Sequence, residues 1–262
     1  LWRIWENKLI VKEKEEQNGH WYLSDGSPAY RITGKNGKER NTTVKDAREL
    51  GLLPSVTTII GCAAKPALDV WKQQQAILAA LTLPRIDGES EEDWLSRVVS
   101  DSKETAKQAA ERGTQIHGVI EAFYEGVYLP ELPTYVRVVE SVINAHFGPQ
   151  LWVAEKSFAH GGYGGKCDLI SRPHYHPKTE GFVIDFKTTE KDVDKLDYYF
   201  DHQMQLAAYR HGFEMPNARC AIVYVNALEN KAKLLEIPED DLRIGWECFT
   251  HLLAFYRAKN KL

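Results

Sequence analysis

The sequence predicts an α/β fold: one domain over residues 51–262, preceded by a small β-rich appendage over 1–50. Three observations carry that reading. Residues 165–187 form two short apolar runs around a polar turn bearing Pro and Gly, the pattern of a β-hairpin. Helical periodicity recurs on both sides of it, and further strand-like runs alternate with those helices. No internal repeat, low-complexity run or linker divides the chain after residue 50.

In the first 50 residues, 21–23 and 29–32 flank S-D-G-S-P as a hairpin, and G-K-N-G-K-E-R at 34–40 is a second turn. Lys35, Lys38 and Arg40 there are either solvated loop residues or contacts to a phosphate backbone. In L-P-S-V-T-T-I-I (53–60), Pro54 suits a helix start, and Ser55, Thr57 and Thr58 are caps or phosphate donors. A helix over 66–81, with Pro early, is expected to bury Leu68, Trp71, Ile77 and Leu78. A separate helical segment covers 91–99. The helix over 103–125 has Asp101 and Glu104 as a capping box, Gly126 as its stop, and an apolar stripe of Ile116, Ile120 and Phe123. Gly113, His117 and Glu121 stack on one of its faces at i, i+4 and i+8. Glycine in mid-helix costs about 1 kcal/mol against alanine, so Gly113 implies close approach of a backbone or ligand.

An amphipathic helix over 134–147 ends at Gly148-Pro149. The strand over 151–158 turns Trp152, Ala154 and Phe158 one way and Glu155 the other. After the hairpin come an aromatic connection (191–200), a helix (201–213), strands at 220–226 and 233–237, and a last helix over 240–258. Gln205 and Tyr209 share a face of the 201–213 helix at i, i+4.

The formal charge of −4 offers no global basic footprint for nucleic acid, yet a local basic strip beside an acidic site can carry this net charge. No apolar run approaches the roughly 18–20 residues of a membrane span, so no membrane association is expected. Four widely spaced cysteines, Cys62, Cys167, Cys220 and Cys248, form no C-x-x-C pair. They predict buried free thiols in a reducing compartment, hence the cytoplasm, and argue against a zinc ribbon.

The chemistry concentrates in the hairpin. With a turn centred near His176 and Pro177, Asp168 and Asp185 fall opposite each other. Alternation places Lys187 on the face of Asp185, and Lys166 on that of Asp168. Carboxylates beside a lysine suit a hard divalent cation held against a phosphate. His117, Asp168 and Asp185 are candidate ligands for Mg²⁺ or Mn²⁺. Lys187 binds the scissile phosphate or orients the attacking water, and Gln205 and Tyr209 position a phosphate or nucleophile. Glu121 and Glu155 are candidates to hold an outer water or a second metal. Tyr163, Tyr198, Tyr199 and Phe200 are candidates to stack on bases. Each residue alone has an ordinary reading. A lone helical histidine is usually surface or core, D-x-K occurs by chance, and Lys166 is commonly solvated or paired. The order of the whole set is what points to a site.

That order resembles a known family. E-R-G-T-Q-I-H-G-V-I-E, G-G-K-C-D-L-I, V-I-D-F-K-T-T and Q-L-A-A-Y are similar to the motifs of the PD-(D/E)XK nuclease superfamily, in its RecB-like branch. L-P-S-V-T-T-I-I followed by K-P-A-L-D-V-W-K-Q-Q resembles the mitochondrial genome maintenance exonucleases and their phage and bacterial relatives. The resemblance spans about residues 53–226. It implies a restriction-endonuclease-like core, a central mixed β-sheet flanked by helices, and metal-dependent cleavage of DNA from single-stranded or duplex ends. It implies roles in replication, recombination or repair beside phage or host recombination proteins. By position, His117, Asp168, Asp185 and the Phe186 carbonyl would hold Mg²⁺ or Mn²⁺, and Lys187 would be catalytic. Gln205 and Tyr209 would orient DNA, Glu121 would be an accessory acid, and Ser55, Thr57 and Thr188 would contact the DNA backbone. Iron–sulfur members carry a tight cysteine cluster after Q-x-x-x-Y; Cys220 and Cys248 are too far apart, so no cluster is expected. A bacterial or phage-encoded protein of the cytoplasm is expected, with the mitochondrial matrix as the alternative. The rival reading is a nuclease-fold DNA-binding or assembly subunit without activity.

Overall fold

The computed structural model describes residues 19–34, 37–171 and 181–262. It is an α/β structure with a five-stranded mixed sheet flanked by helices, and small β elements at its N-terminal side. In chain order the elements are β1 (Trp21–Tyr22), β2 (Arg31–Thr33), β3 (Glu39–Asn41), α1 (Val44–Leu50), β4 (Leu53–Pro54), α2 (Val56–Ile60), α3 (Pro66–Thr82), α4 (Glu91–Tyr124) and α5 (Thr134–Phe147). There follow β5 (Val153–His160), β6 (Tyr163–Ser171), β7 (Phe182–Thr188), a 3-10 turn (Val193–Lys195), α6 (Phe200–Gly212), β8 (Arg219–Asn226), β9 (Lys231–Ile237) and α7 (Glu239–Asn260).

The main sheet runs β5-β6-β7-β8-β9; only β7 and β8 are parallel, and α6 makes the crossover that parallel neighbours require. Two cores form on its two faces. One packs α2, α6 and α7 around Phe158, Tyr163, Met204, Leu206 and Phe249; the other packs α4 and α5 around Ile120, Val139, Ile143, Leu169 and Ile184. The register Leu169↔Ile184, continued one step, sets Asp168 against Asp185 as expected. The turn, including His176 and Pro177, lies outside the described residues, as does Lys35.

Several expectations are corrected. α3 does not bury its apolar stripe: Leu68, Trp71, Ile77 and Leu78 are 40%, 37%, 59% and 54% exposed. The periodicity is real, but α3 packs chiefly on α4, and two helices alone enclose little beyond Ala79 and Val98. The helices at 91–99 and 103–125 are one 34-residue helix, α4, so Asp101 and Glu104 lie inside it and cap nothing. Its start is capped by Ser90, whose side chain accepts from the Asp93 amide. Residues 44–50, read as part of a β-rich segment, form α1, with Thr43 and Asp46 making a reciprocal capping box.

β5 departs from simple alternation. Ala154 packs with the core under α4 and Phe158 with the core under α6, although their spacing should place them on one face. Glu155 between them has φ of 49°, the left-handed region, which breaks the phase. On β6 the phase breaks too: Cys167 belongs to one core and Leu169 to the other. The described part of 1–50 is joined closely to the rest. Trp21 is fully buried in the core shared with α6 and α7, β1 pairs with β4, and Arg48 donates to the Asn260 carbonyl at 2.6 Å.

Candidate active site

The site lies where β6 and β7 part company beneath α4 and α6. Past Leu169 and Ile184, the Asp168 carboxylate takes the place of a ladder partner: its Oδ2 accepts the Phe186 amide at 2.6 Å. In a strand, one residue's N–H and C=O point to the same side. The Phe186 carbonyl is therefore directed toward the same gap between the strands. His117, one turn before the anchored Ile120 on α4, brings Nδ1 to 3.6 Å from Asp168 Oδ2. That is too long for a hydrogen bond and close enough for strong attraction.

Asp185 and Lys187 point from β7 toward α6. Gln205 Nε2 donates to Asp185 Oδ1 at 2.8 Å and is 2.9 Å from the Tyr209 hydroxyl, while its Oε1 accepts from Lys187 Nζ at 3.1 Å. Lys187 Nζ is also 2.6 Å from Asp185 Oδ2. That contact is a buried ion pair on an oxygen sealed from solvent. Asp185 is only 4% exposed and Gln205 8%, so the network sits in low dielectric.

Burial acts on each titratable group in it. Desolvation pushes the Asp185 carboxyl up against the opposing pull of Lys187, and the Asp168 charge adds to the rise. Burial disfavours the Lys187 charge, but the carboxylates of Asp185 and Asp168 outweigh it and hold its pKa above the ordinary lysine value. His117 behaves alike: burial lowers its pKa, and the carboxylates of Asp168 and Asp185 together outweigh that and raise it. Tyr209 and Cys167 are pushed well up by burial and stay protonated.

The structure thus brings His117, Asp168, Phe186, Asp185, Lys187, Gln205 and Tyr209 together. Among the described residues, no three His, Cys, Asp or Glu side chains are grouped closely enough to hold a metal as they stand. The donor types nevertheless suit a hard cation: two carboxylates, that of Asp185 held by Lys187 at Oδ2, and an imidazole. Glu121 is half-buried on the helix turn after His117 and makes no side-chain hydrogen bond or ion pair among the described residues. Lys166 pairs with Glu155, so neither addresses Asp168. Gly113 finds its reason in Thr188: a methyl at Gly113 would lie 3.0 Å from the Thr188 hydroxyl.

Other candidates fall elsewhere. Ser55 is 3% exposed and spends its hydroxyl capping α2 through the Thr58 amide, at 3.0 Å, while Thr57 is exposed. Arg40 is held by Asp46 through two bonds of 2.6 and 2.7 Å. Tyr163 is a core residue whose hydroxyl donates to the Ala208 carbonyl, and Tyr198 donates to Asp241. Tyr199 and Phe200 remain exposed at 59% and 48%. One residue was missed: His202, one turn before Gln205 on the same face of α6. Its signal was the spacing H-x-x-Q-x-x-x-Y.

Beside the site, a cleft of about 490 Å³ separates the α3–α4 arm from the ends of β7 and β8, with Trp71, Arg112, Gly113, Thr188 and Lys191 in its lining. No protein-family profile and no curated protein matches the chain. Among solved structures, the crystal structure of SSO0001 is similar at 19% identity over 71% of this chain and 85% of that one. Its TM-score of 0.29 is too low to assign a shared fold.

No helix among the described residues is long and apolar enough to cross a membrane.

Proposed function

We propose that this chain is a Mg²⁺- or Mn²⁺-dependent deoxyribonuclease with a restriction-endonuclease-like core, hydrolysing phosphodiester bonds from single-stranded or duplex DNA ends. The observation that carries the reading is the buried Asp185–Lys187–Gln205–Tyr209 network set beside Asp168 and His117. A structural ion pair does not need a second carboxylate holding open the neighbouring strand. His117, Asp168, Asp185 and the Phe186 carbonyl would hold the cation. When bound, the metal supplies Lewis-acid stabilisation of phosphoryl charge and lowers the pKa of water.

The chain's own residues do the rest. Lys187, kept charged, meets the negative charge gathering on the phosphoryl oxygens. Gln205 fixes both Lys187 and Asp185, so neither reorients as charge develops. Tyr209 stays neutral and holds the Gln205 amide in one flip state. The cleft along α4 gives a strand a path past Thr188, with Trp71 available for stacking.

The test is digestion of end-labelled linear single-stranded, linear duplex and circular DNA, with Mg²⁺, Mn²⁺ or EDTA. Linear DNA is expected to be cut with metal only, and Asp185→Ala and Lys187→Ala to lose cleavage by at least 100-fold. Retained cleavage in both variants overturns the site. No cleavage by the unaltered chain overturns the activity in favour of a DNA-binding subunit, and rapid cutting of circles overturns the requirement for ends.

A further inference from the structure

His202 extends the site described above, and its role rests on the deoxyribonuclease reading. His202, Gln205 and Tyr209 stand at i, i+3 and i+7, one stripe along α6. The lower two are spent on Asp185 and Lys187. His202 lies about 4.5 Å further up the helix axis, at the open end of the stripe. Its ring edge meets Tyr224, with centroids 6.2 Å apart, and Tyr224 is the β8 residue registered against Lys187. Tyr199 walls the other side at 5.4 Å. His202 therefore adjoins the lysine that would face the scissile phosphate.

The imidazole is oriented by a hydrogen bond. Nδ1 accepts the Tyr199 backbone N–H at 3.2 Å, the bond that a glutamate at this helix position commonly makes. The ring proton then sits on Nε2, which has no partner among the described residues and is not among the atoms sealed from solvent. Burial and the nearby Lys187 charge press the pKa down to about 4, so the ring stays neutral at physiological pH. Glutamate would cap α6 as well but would turn negative charge outward. Histidine caps with one nitrogen and keeps a donor on the other.

We propose that His202 is a substrate-contacting residue whose Nε2–H donates to the DNA phosphate next to the scissile one. The test compares His202→Glu, which keeps the helix cap and reverses the polarity, with His202→Gln, which keeps both acceptor and donor. Substrates are oligonucleotides carrying one neutral methylphosphonate linkage, placed in turn at each position flanking the cleaved bond.

His202→Glu is expected to melt within a few degrees of the unaltered protein and raise KM about tenfold or more, the scale of one hydrogen bond to a charged group. Its kcat should change less than threefold, and His202→Gln should recover most of the affinity. At one linkage, the methylphosphonate should raise KM for the unaltered enzyme and much less for His202→Glu. An unchanged KM in His202→Glu, or a loss confined to kcat, overturns the proposal and leaves His202 as a cap alone. Equal sensitivity of both proteins to every neutral linkage overturns it too. An unaltered chain that cuts no DNA overturns the parent reading instead, which the same assay shows before any variant is compared.

Discussion

Gly245→Ala tests whether the back of α6 sets the front. Gly245 is buried in α7, and a methyl there would lie 2.7 Å from the carbonyl carbon and oxygen of Gln203 and 2.9 Å from the Met204 nitrogen. Ordinary contact begins at 3.4 Å, so the two helices must part locally by about 3.4 − 2.7 = 0.7 Å. The obstructing atoms are backbone and cannot rotate aside. Overpacking of this kind costs about 1–3 kcal/mol, and alanine returns about 1 kcal/mol of helix propensity. The net expectation is a loss of about 0–2 kcal/mol, or a Tm lower by roughly 2–4 °C for each kcal/mol. The displaced segment lies between His202 and Gln205, whose side-chain bonds of 2.8, 2.9 and 3.1 Å have little slack. A shift of several tenths of an ångström there is expected to slow metal-dependent cleavage about tenfold or more. Scanning calorimetry and cleavage at saturating DNA read the two effects. A variant as stable and as fast as the original would refute the claim that α7 seats α6 through this glycine.

Further outcomes are expected. Gln205→Leu leaves Asp185 Oδ1 and Lys187 short of a partner in a buried site, a loss of roughly 2–4 kcal/mol; denaturant unfolding checks it, and a stabilised variant contradicts the network. Gly118→Ala meets open space and should gain about 0.5–1 kcal/mol by thermal melt, whereas Gly113→Ala should gain less because the Thr188 hydroxyl must yield. Asp46 has its folded pKa held low by Arg40 and the Thr43 cap. Its contribution is full above the unfolded value near 4 and is lost as pH falls. Urea midpoints of Asp46→Asn should therefore sit below those of the original at pH 7 and converge with them in acid; a gap that widens in acid would reverse the sign.

Much of this was legible in the chain, for identifiable reasons. α5 was located by its stripe and its Gly148-Pro149 stop, and β7 and β8 by dense apolar runs, because all three are buried by neighbours that ordinary periodicity anticipates. The opposition of Asp168 and Asp185 followed from counting across a turn. Phase was not legible at Glu155, where the left-handed backbone hands the two ends of β5 to different cores. Burial of α3 was misjudged because an apolar stripe shows that a helix has a face, not that anything covers it. The split assigned within α4 came from reading D-S-K-E as a cap, a local signal overridden once the upstream turn was already helical. His202 escaped notice because its value depends on Tyr224, which is far away in sequence.

The unbroken length of α4 has a mechanical consequence. A helix is a stiff rod, and this one is held at its sheet end from Arg112, paired with Glu190, and Gly113, against Thr188, to the buried Ile120. From Glu91 to Arg112 is about 32 Å at 1.5 Å per residue, a span that packs on α3. His117 lies inside the held stretch, so a displacement of the tip reaches the imidazole beside Asp168 only after passing the Arg112–Gly113 anchor.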